Sequence, residues 1–256
     1  MLIDSHAHLE HSLLNSKEII ESMNQDGLDK IVTIGTDRET SIFACELAKE
    51  NANIYATVGI HPEYVDKYND QDLEIIDKLA GQKKVVAIGE IGLDYHYTQD
   101  NKQKQKELFV KQIKLAKKHN LPICIHTRDA KEDTYQILKE NEEYIVKPSI
   151  MHCFSEDREY MLKFIELGFY ISFAGNITFK KTDKNLVADV PLDKILVETD
   201  CPYLSPEPLR GRVNEPKNVH YTAQLLADLK QMDYNEFCEQ VRKNTYNVYK
   251  KMNKGN

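Results

Sequence analysis

The chain alternates between short apolar runs and longer amphipathic segments along most of its length. The apolar runs are rich in Ile, Val and Leu, as is typical of strands buried on both faces of a parallel sheet. The predicted strands begin with the run that opens at Leu2 and continue at residues 30–35, 54–60, 85–90, 121–125, 148–151, 169–173 and 194–199. The helical spacing of apolar residues predicts helices at 17–25, 39–50, 70–79, 101–119, 129–141, 156–167, 218–230 and 235–250.

About eight buried strands that alternate with helices indicate an α/β fold. We expect a (β/α)8 TIM-type barrel with additional C-terminal helices, although an open doubly wound sheet has a similar local pattern. No low-complexity segment or linker-like change of composition interrupts residues 1–256. We therefore predict a single domain.

Composition and charge limit the binding partners and the cellular compartment that we expect for the protein. The net charge of −7 excludes a broad positive field, so a phosphate-bearing substrate must be attracted locally. The chain does not open with a basic segment and an apolar run, and no apolar run approaches the ~20 residues that span a bilayer. The five cysteines include no C-x-x-C pair, which favours reduced thiols. We expect a cytoplasmic protein without a membrane partner or an obligate protein partner.

Side chains that bind metal ions follow the predicted strands. His6 and His8 lie two positions apart at the end of the first strand, so they are expected to project from one face together with Asp4. Later strands end at Glu90, His126, His152 and Asp200. Barrel enzymes have their sites at the carboxyl ends of the strands, which form one rim. We expect these side chains to meet there, although any one of them could be a polar group that caps its own strand.

Four imidazoles and two carboxylates are too many ligands for one ion and suit two. Glu90 lies near the middle of the set and is the natural bridge between the ions. One ion is assigned to His6, His8, Glu90 and Asp200, and the second to Glu90, His126 and His152. Two ions ~3.5–4 Å apart can stabilise both oxygens of an in-line displacement, in which Asp200 would accept the proton of the attacking water. The imidazole-rich set favours zinc or manganese.

Several runs carry a resemblance to a known family. They are DSHAH (4–8), GIHP (59–62), IGEIGLDY (88–95), HTRDA (126–130), HCFS (152–155), ETD (198–200) and RGRVNEP (210–216). In these runs the chain resembles the TatD family of metal-dependent deoxyribonucleases, within the amidohydrolase-like superfamily. The resemblance implies a phosphodiesterase that acts on DNA, on single strands or at ends, with Glu90 and Asp200 as catalytic residues. It also implies that magnesium supports the activity.

Four further polar side chains are candidates for substrate contacts. His61 lies at a strand end, where it either contacts substrate or supports the ligands. Arg128 offers a guanidinium fork that suits a phosphate, and the alternative is a salt bridge with an acidic neighbour. Arg210 and Asn214 lie in the loop after the last strand, where barrels recruit substrate contacts.

Three side chains near the predicted site have two interpretations each. Asp94 either orients a histidine ligand or caps a turn. Tyr95 and Phe154 could stack on bases, but packing in the core or at the rim is favoured.

Other functions stay open. Related metal barrels hydrolyse cyclic amides or esters with much the same ligands, and a non-catalytic protein could retain a structural metal, although structural zinc sites are closed. A third possibility uses Cys153 as a thiol nucleophile. Strand alternation argues against it, because it predicts that Cys153 faces the helices when His152 faces the barrel mouth.

Overall fold

A computed structural model of the protein describes residues 1–254, and within them eight parallel strands form one sheet. Each strand is hydrogen-bonded to the next in chain order. The strands are β1 (Leu2–Ala7), β2 (Leu28–Ile34), β3 (Ile54–Val58), β4 (Val85–Asp94), β5 (Ile123–Arg128), β6 (Ser149–Met151), β7 (Phe169–Phe173) and β8 (Ile195–Val197).

Helices connect the strands and end the fold. They are α1 (Ser16–Ser22), α2 (Arg38–Glu50), α3 (Asp70–Ala80), α4 (Lys102–His119), α5 (Lys131–Glu140), α6 (Arg158–Glu166), α7 (Leu186–Asp189), α8 (Val219–Leu229) and α9 (Tyr234–Val248). Side-chain caps fix several starts. Asp37 and Asn69 form capping boxes that begin α2 and α3, which satisfies backbone N–H groups that the first turn leaves free.

The sheet closes between its first and last strands, as a (β/α)8 barrel requires. Ala7 forms a parallel bridge with Cys201, just beyond β8. The His8 amide donates to the Cys201 carbonyl at 2.9 Å, and the Asp200 amide donates to the His6 carbonyl at 3.0 Å. The TIM-type barrel with C-terminal helices is therefore confirmed.

The observed elements follow the predicted ones, with two notable differences. Strand β4 does not end at Glu90 but continues to Asp94, because all of its residues are buried and it pairs with β5 as far as Arg128. The four-residue helix α7 was not predicted, since it is too short to show a helical period.

Two layers of apolar side chains hold the barrel. A large outer cluster fills the space between the strands and the helices. A smaller cluster includes Ile3, Val32 and Val86 from three strands, together with Tyr249 from the segment after α9. Tyr249 is fully buried and donates to the Ser5 carbonyl at 3.3 Å, so the C-terminal segment is tied to β1.

In the part of the chain that the structure describes, no helix combines the length and apolar character needed to cross a membrane.

Candidate metal centre

The predicted ligands meet around the carboxylate of Glu90, which lies inside β4 and is buried. His126 Nδ1 and His152 Nε2 each lie 2.9 Å from the same Glu90 oxygen, Oε1. His126 comes from β5 and His152 follows β6 directly, so neighbouring strands deliver these imidazoles to one point. The ends of separate parallel strands thus supply one cluster, as the barrel geometry requires.

His6 and His8 approach the other Glu90 oxygen from β1. Their Nε2 atoms lie 3.4 and 3.8 Å from Glu90 Oε2. The same two atoms lie 3.6 and 3.3 Å from Asp200 Oδ1. Asp200 therefore lies on the same side of the centre as His6 and His8. All six predicted ligands thus meet around the carboxylates of Glu90 and Asp200.

Each of these imidazoles has an outer nitrogen held by a different group. His126 Nε2 lies 2.8 Å from Asp94 Oδ2. His152 Nδ1 lies 3.2 Å from Glu198 Oε1. The outer nitrogens of the other two meet weaker or longer contacts, which are Cys124 Sγ at 3.6 Å from His6 and Glu10 Oε1 at 3.4 Å from His8.

Asp94 combines the two roles that the sequence suggested for it, which are orienting a histidine and capping a turn. Its Oδ2 contacts His126, and its Oδ1 accepts the backbone N–H of His96 at 2.9 Å. Because both oxygens are engaged, the carboxylate is fixed against the imidazole and restricts its orientation.

The charge of Glu90 is maintained by its surroundings. Burial raises the pKa of this carboxyl, but the positive potential of His152 and His61 and hydrogen bonds from His126 and His152 outweigh burial. The pKa therefore lies well below its ordinary value, and Glu90 is ionised at neutral pH.

Asp200 and His8 form a second charged pair. Burial raises the pKa of Asp200, but the hydrogen bond with His8 and nearby imidazoles leave it below its ordinary value. Burial lowers the pKa of His8, yet hydrogen bonds with Asp200 and Glu10 raise it to about 10. Positive charge is thus favoured at the position where Nε2 faces the two carboxylates.

These residues fit a divalent cation. His6 Nε2 is buried and has no hydrogen-bond partner among the described residues, although carboxylate oxygens of Glu90 and Asp200 are close to it. A cation would satisfy that nitrogen and both oxygens, and imidazole with carboxylate is a common donor set for divalent metals. Donor atoms lie within 4.8 Å of one another in three groups, which are His6–His8–Glu90, His61–Glu90–His126 and His6–His152–Glu198.

Two of the predicted substrate residues lie in the cleft above this centre. His61 is buried, and its Nε2 lies 3.5 Å from Glu90 Oε1 while its Nδ1 accepts the Glu63 amide. Arg128 is exposed, stacks over the Tyr97 ring at 5.2 Å and donates to its hydroxyl. The expected alternative for Arg128, a salt bridge with an acidic neighbour, is not among the ion pairs of the described chain, and Asp129 instead pairs with His96.

The other two substrate candidates lie away from the ligands. Arg210 is exposed, with its guanidinium 4.2 Å from the Phe179 ring centre, and it is not among the described residues that line the cleft. Asn214 is fully buried. Its amide nitrogen donates to the Thr199 and Tyr203 carbonyls, and its oxygen accepts two further hydrogen bonds. Asn214 therefore holds its loop in place through these hydrogen bonds and has no free polar atom for substrate.

The prediction that Cys153 faces the helices was wrong. Strand β6 ends at Met151, so alternation no longer applies, and Cys153 adopts a positive φ of 44° that turns its side chain into the cleft. Its Sγ accepts a hydrogen bond from Asn176 at 3.6 Å. Burial and nearby carboxylates raise the pKa of this thiol well above its ordinary value, which opposes formation of a nucleophilic thiolate.

Asp4 also departs from its expected position. The pairing of β1 with β2 is irregular between Asp4 and Ala7, so strict alternation fails there. The Asp4 carboxylate accepts hydrogen bonds from the Thr199 amide and hydroxyl rather than from the imidazoles. It therefore fixes the turn that carries Asp200.

Tyr95 and Phe154 pack as favoured by the sequence. The Tyr95 ring is buried and its hydroxyl donates to Asp133 at 2.8 Å, whereas buried Phe154 packs edge-on against Phe164. Neither ring presents a free face for bases.

The cleft has a volume of about 720 Å³, and five of the six predicted ligands, all except His6, line it. Two rim tyrosines are exposed, Tyr97 by 70% and Tyr203 by 51%. The Tyr203 ring contacts the His8 ring edge-on at 5.9 Å, while the Tyr97 ring stacks against the guanidinium of Arg128. Sequence reasoning had assigned roles to neither, because exposed tyrosines give no periodic signal.

Comparison with known proteins identifies relatives over nearly the whole chain. The family model described as TatD related DNase matches residues 3–250. A metal-dependent hydrolase of Bacillus subtilis, YabD, is 43% identical over 98% of this chain and 99% of its own length. The Escherichia coli hydrolase YcfH is 37% identical over 93% of this chain and 91% of its length.

A solved structure agrees with these relatives. The crystal structure of YjjV, a TatD homologue from Escherichia coli, superposes with a TM-score of 0.90 at 29% identity. The match covers 97% of this chain and 98% of that one.

Proposed function

We propose that this chain, which belongs to the TatD-related DNase family of metal-dependent hydrolases, hydrolyses phosphodiester bonds of DNA. The observation that carries the proposal is the position of Glu90. One buried carboxylate faces His126 and His152 through one oxygen, and His6 and His8 through the other. This arrangement suits two cations that share a carboxylate.

We assign the same two ligand sets that the sequence suggested. His6, His8 and Asp200 would hold one ion and His126 and His152 the other, with Glu90 common to both. When bound, such ions acidify water and offset the negative charge that develops on a phosphoryl group. Magnesium, manganese and zinc are the candidates.

We assign to Asp200 the role of proton acceptor in this reaction. Its depressed pKa keeps it ionised, so it can accept a proton from the water molecule whose oxygen attacks phosphorus. The new bond joins that oxygen to phosphorus, and the bond from phosphorus to the departing nucleoside oxygen breaks. The departing oxygen takes up a proton from solvent, to which Asp200 then releases the proton that it accepted. Glu90 keeps the surrounding imidazoles in position during these steps.

The rim of the cleft suits a single strand or a frayed end. The exposed guanidinium of Arg128 offers a planar fork for a phosphate. Tyr97 and Tyr203 present exposed ring surface on which unpaired bases can stack, whereas a base stacked inside a duplex has no free face to offer. DNA is thus the proposed partner, with binding confined to this local patch because the net charge of the chain is −7.

The test is metal-dependent cleavage. Protein stripped of metal should not cleave a single-stranded oligonucleotide and should regain cleavage when magnesium, manganese or zinc is added. A duplex without ends and a cyclic amide or lactone serve as alternative substrates under the same conditions. Cleavage that survives exhaustive chelation, or metal-dependent turnover of the cyclic compound alone, would exclude the proposal.

A further inference from the structure

Glu198 lies behind His152, out of the cleft, and its side chain is 1% exposed. Oε1 accepts the backbone N–H of Cys153 at 2.6 Å and lies 3.2 Å from His152 Nδ1. Oε2 accepts the hydroxyl of Ser172 at 2.5 Å. Three polar groups from two chain segments, residues 152–153 and Ser172, therefore converge on one buried carboxylate.

The carboxylate itself is anchored to the wall of the barrel. Ser172, in β7, lies 3.4 Å from the hydroxyl of Ser5, in β1, and Ser5 donates to the Val197 carbonyl in β8 at 2.9 Å. Two side-chain hydroxyls and one backbone carbonyl thus join three strands beneath His152. Glu198 cannot rotate away without breaking this network.

A carboxylate accepts hydrogen bonds and does not donate them, so the His152 nitrogen that faces it must carry the proton. That nitrogen is Nδ1. The remaining ring nitrogen, Nε2, lies 2.9 Å from Glu90 Oε1 and is left as the one that can exchange a proton for a cation.

We propose that Glu198 is a positioning residue that holds His152 as the Nδ1–H tautomer and so presents Nε2 to the metal centre. The inference rests on the metal centre of the proposed function but not on DNA as the substrate. Such outer carboxylates commonly orient a metal-bound imidazole and raise its basicity.

Glu198 has a competing role, as a ligand. Its donor atoms lie within 4.8 Å of those of His6 and His152. A cation held there would compete with the Cys153 amide and the Ser172 hydroxyl for the two oxygens, and would leave buried donors without acceptors. The three existing hydrogen bonds therefore favour the positioning role.

The variant that tests the positioning role is Glu198→Gln, which keeps the length and shape of the side chain and removes its charge. The amide oxygen can still accept the Cys153 N–H, so the fold should persist, but the neutral amide no longer holds His152 Nδ1–H by a charge-assisted hydrogen bond. Asp72→Asn is the matched control, because Asp72 is a buried carboxylate that accepts hydrogen bonds at the start of α3, outside the cleft.

Two readouts apply, and neither depends on DNA cleavage. Manganese titration of metal-free protein should show about 10–100-fold weaker binding at one of the sites in Glu198→Gln, and no change in Asp72→Asn. Nitrogen-15 NMR of the zinc-loaded wild-type protein should show a protonated Nδ1 and a metal-bound Nε2 for His152. In Glu198→Gln the spectrum should show a mixture of molecules in which either Nδ1 or Nε2 of His152 is protonated. The melting temperature should stay near that of the control.

Wild-type manganese affinity in Glu198→Gln would overturn the proposal, as would a metal-bound His152 Nδ1 in the wild-type protein. If Glu198→Gln does not fold, Ser172→Ala removes only one of the three donors and should give a smaller fall in affinity in the same direction. Unchanged affinity in that variant would also count against the proposal. Absence of nuclease activity in a protein that still binds metal would count against the proposed function and not against this role of Glu198.

Discussion

The two sides of Glu90 are built differently. On one side, His126 and His152 approach Oε1 to 2.9 Å, and buried carboxylates hold their outer nitrogens. On the other side, the contacts of His6 and His8 with carboxylate oxygens span 3.3–3.8 Å. The first side is fixed by the protein alone, and the second is a looser group of donors that a cation would draw together.

The outer contacts explain this difference. A carboxylate orients an imidazole through a strong, charge-assisted hydrogen bond. The thiol of Cys124, which contacts His6, is a weak hydrogen-bonding group, and the Glu10 carboxylate lies farther from His8, at 3.4 Å, so both impose less. Preorganisation therefore differs between the sides, and substitutions on the two sides should have separable effects.

The largest effect on turnover is expected from the looser side, where Asp200 is the proposed proton acceptor. Asp200→Asn keeps the shape and an oxygen for the metal but removes the charge and the proton acceptor. The turnover number at saturating metal should fall by about 10²–10⁴, which corresponds to about 3–5 kcal/mol of transition-state stabilisation. Steady-state kinetics with one oligonucleotide at saturating concentration measures this, and a turnover number within a factor of a few of wild type would remove Asp200 from the chemistry.

A smaller effect is expected from the fixed side, through Asp94. In Asp94→Asn one of the two positions that now accept hydrogen bonds becomes an amide donor, facing either His126 or the His96 amide. We expect metal affinity or turnover to fall by about 10–100-fold.

The exposed neighbour Asp129, which pairs with His96 at the rim, supplies the control for this prediction. Asp129→Asn should leave metal affinity unchanged. If the two variants behaved alike, the contact between Asp94 and His126 would not matter to the metal centre.

The smallest effect is expected at Cys153, which lies beside the fixed side but belongs to neither ligand set. Cys153→Ser replaces the thiol with a hydroxyl that can accept the same hydrogen bond from Asn176, so the free energy of unfolding should change by about 1 kcal/mol or less. The turnover number should stay near wild type. An inactive but folded Cys153→Ser enzyme, beside an active Asp200→Asn enzyme, would instead support a thiol nucleophile.

The sequence was sufficient to predict the barrel and the side chains that meet around Glu90. Buried parallel strands read as apolar runs, and the end of each run gives the position of a rim residue. His126 and Asp200 could be identified in this way because the fold places strand ends together. No knowledge of side-chain rotation was needed.

The remainder depends on rotations that local patterns do not encode. Glu198 stands in the Glu-Thr-Asp run, but only the packing of β1, β7 and β8 turns its carboxylate towards His152. Cys153 was misplaced because alternation ends where β6 ends. Asn214 lies in a loop that looks suited to substrate, and its burial depends on partners elsewhere in the fold.

The central claim is that the two sides share Glu90, and the metal content of Glu90→Ala beside His126→Ala tests it most directly. Wild-type protein loaded with manganese or zinc and then freed of excess metal should retain about two ions per chain by elemental analysis. His126→Ala should retain about one, since only the fixed side is damaged, whereas Glu90→Ala should retain almost none. Retention of one full ion by Glu90→Ala would show that the carboxylate serves a single side, and would contradict the shared centre.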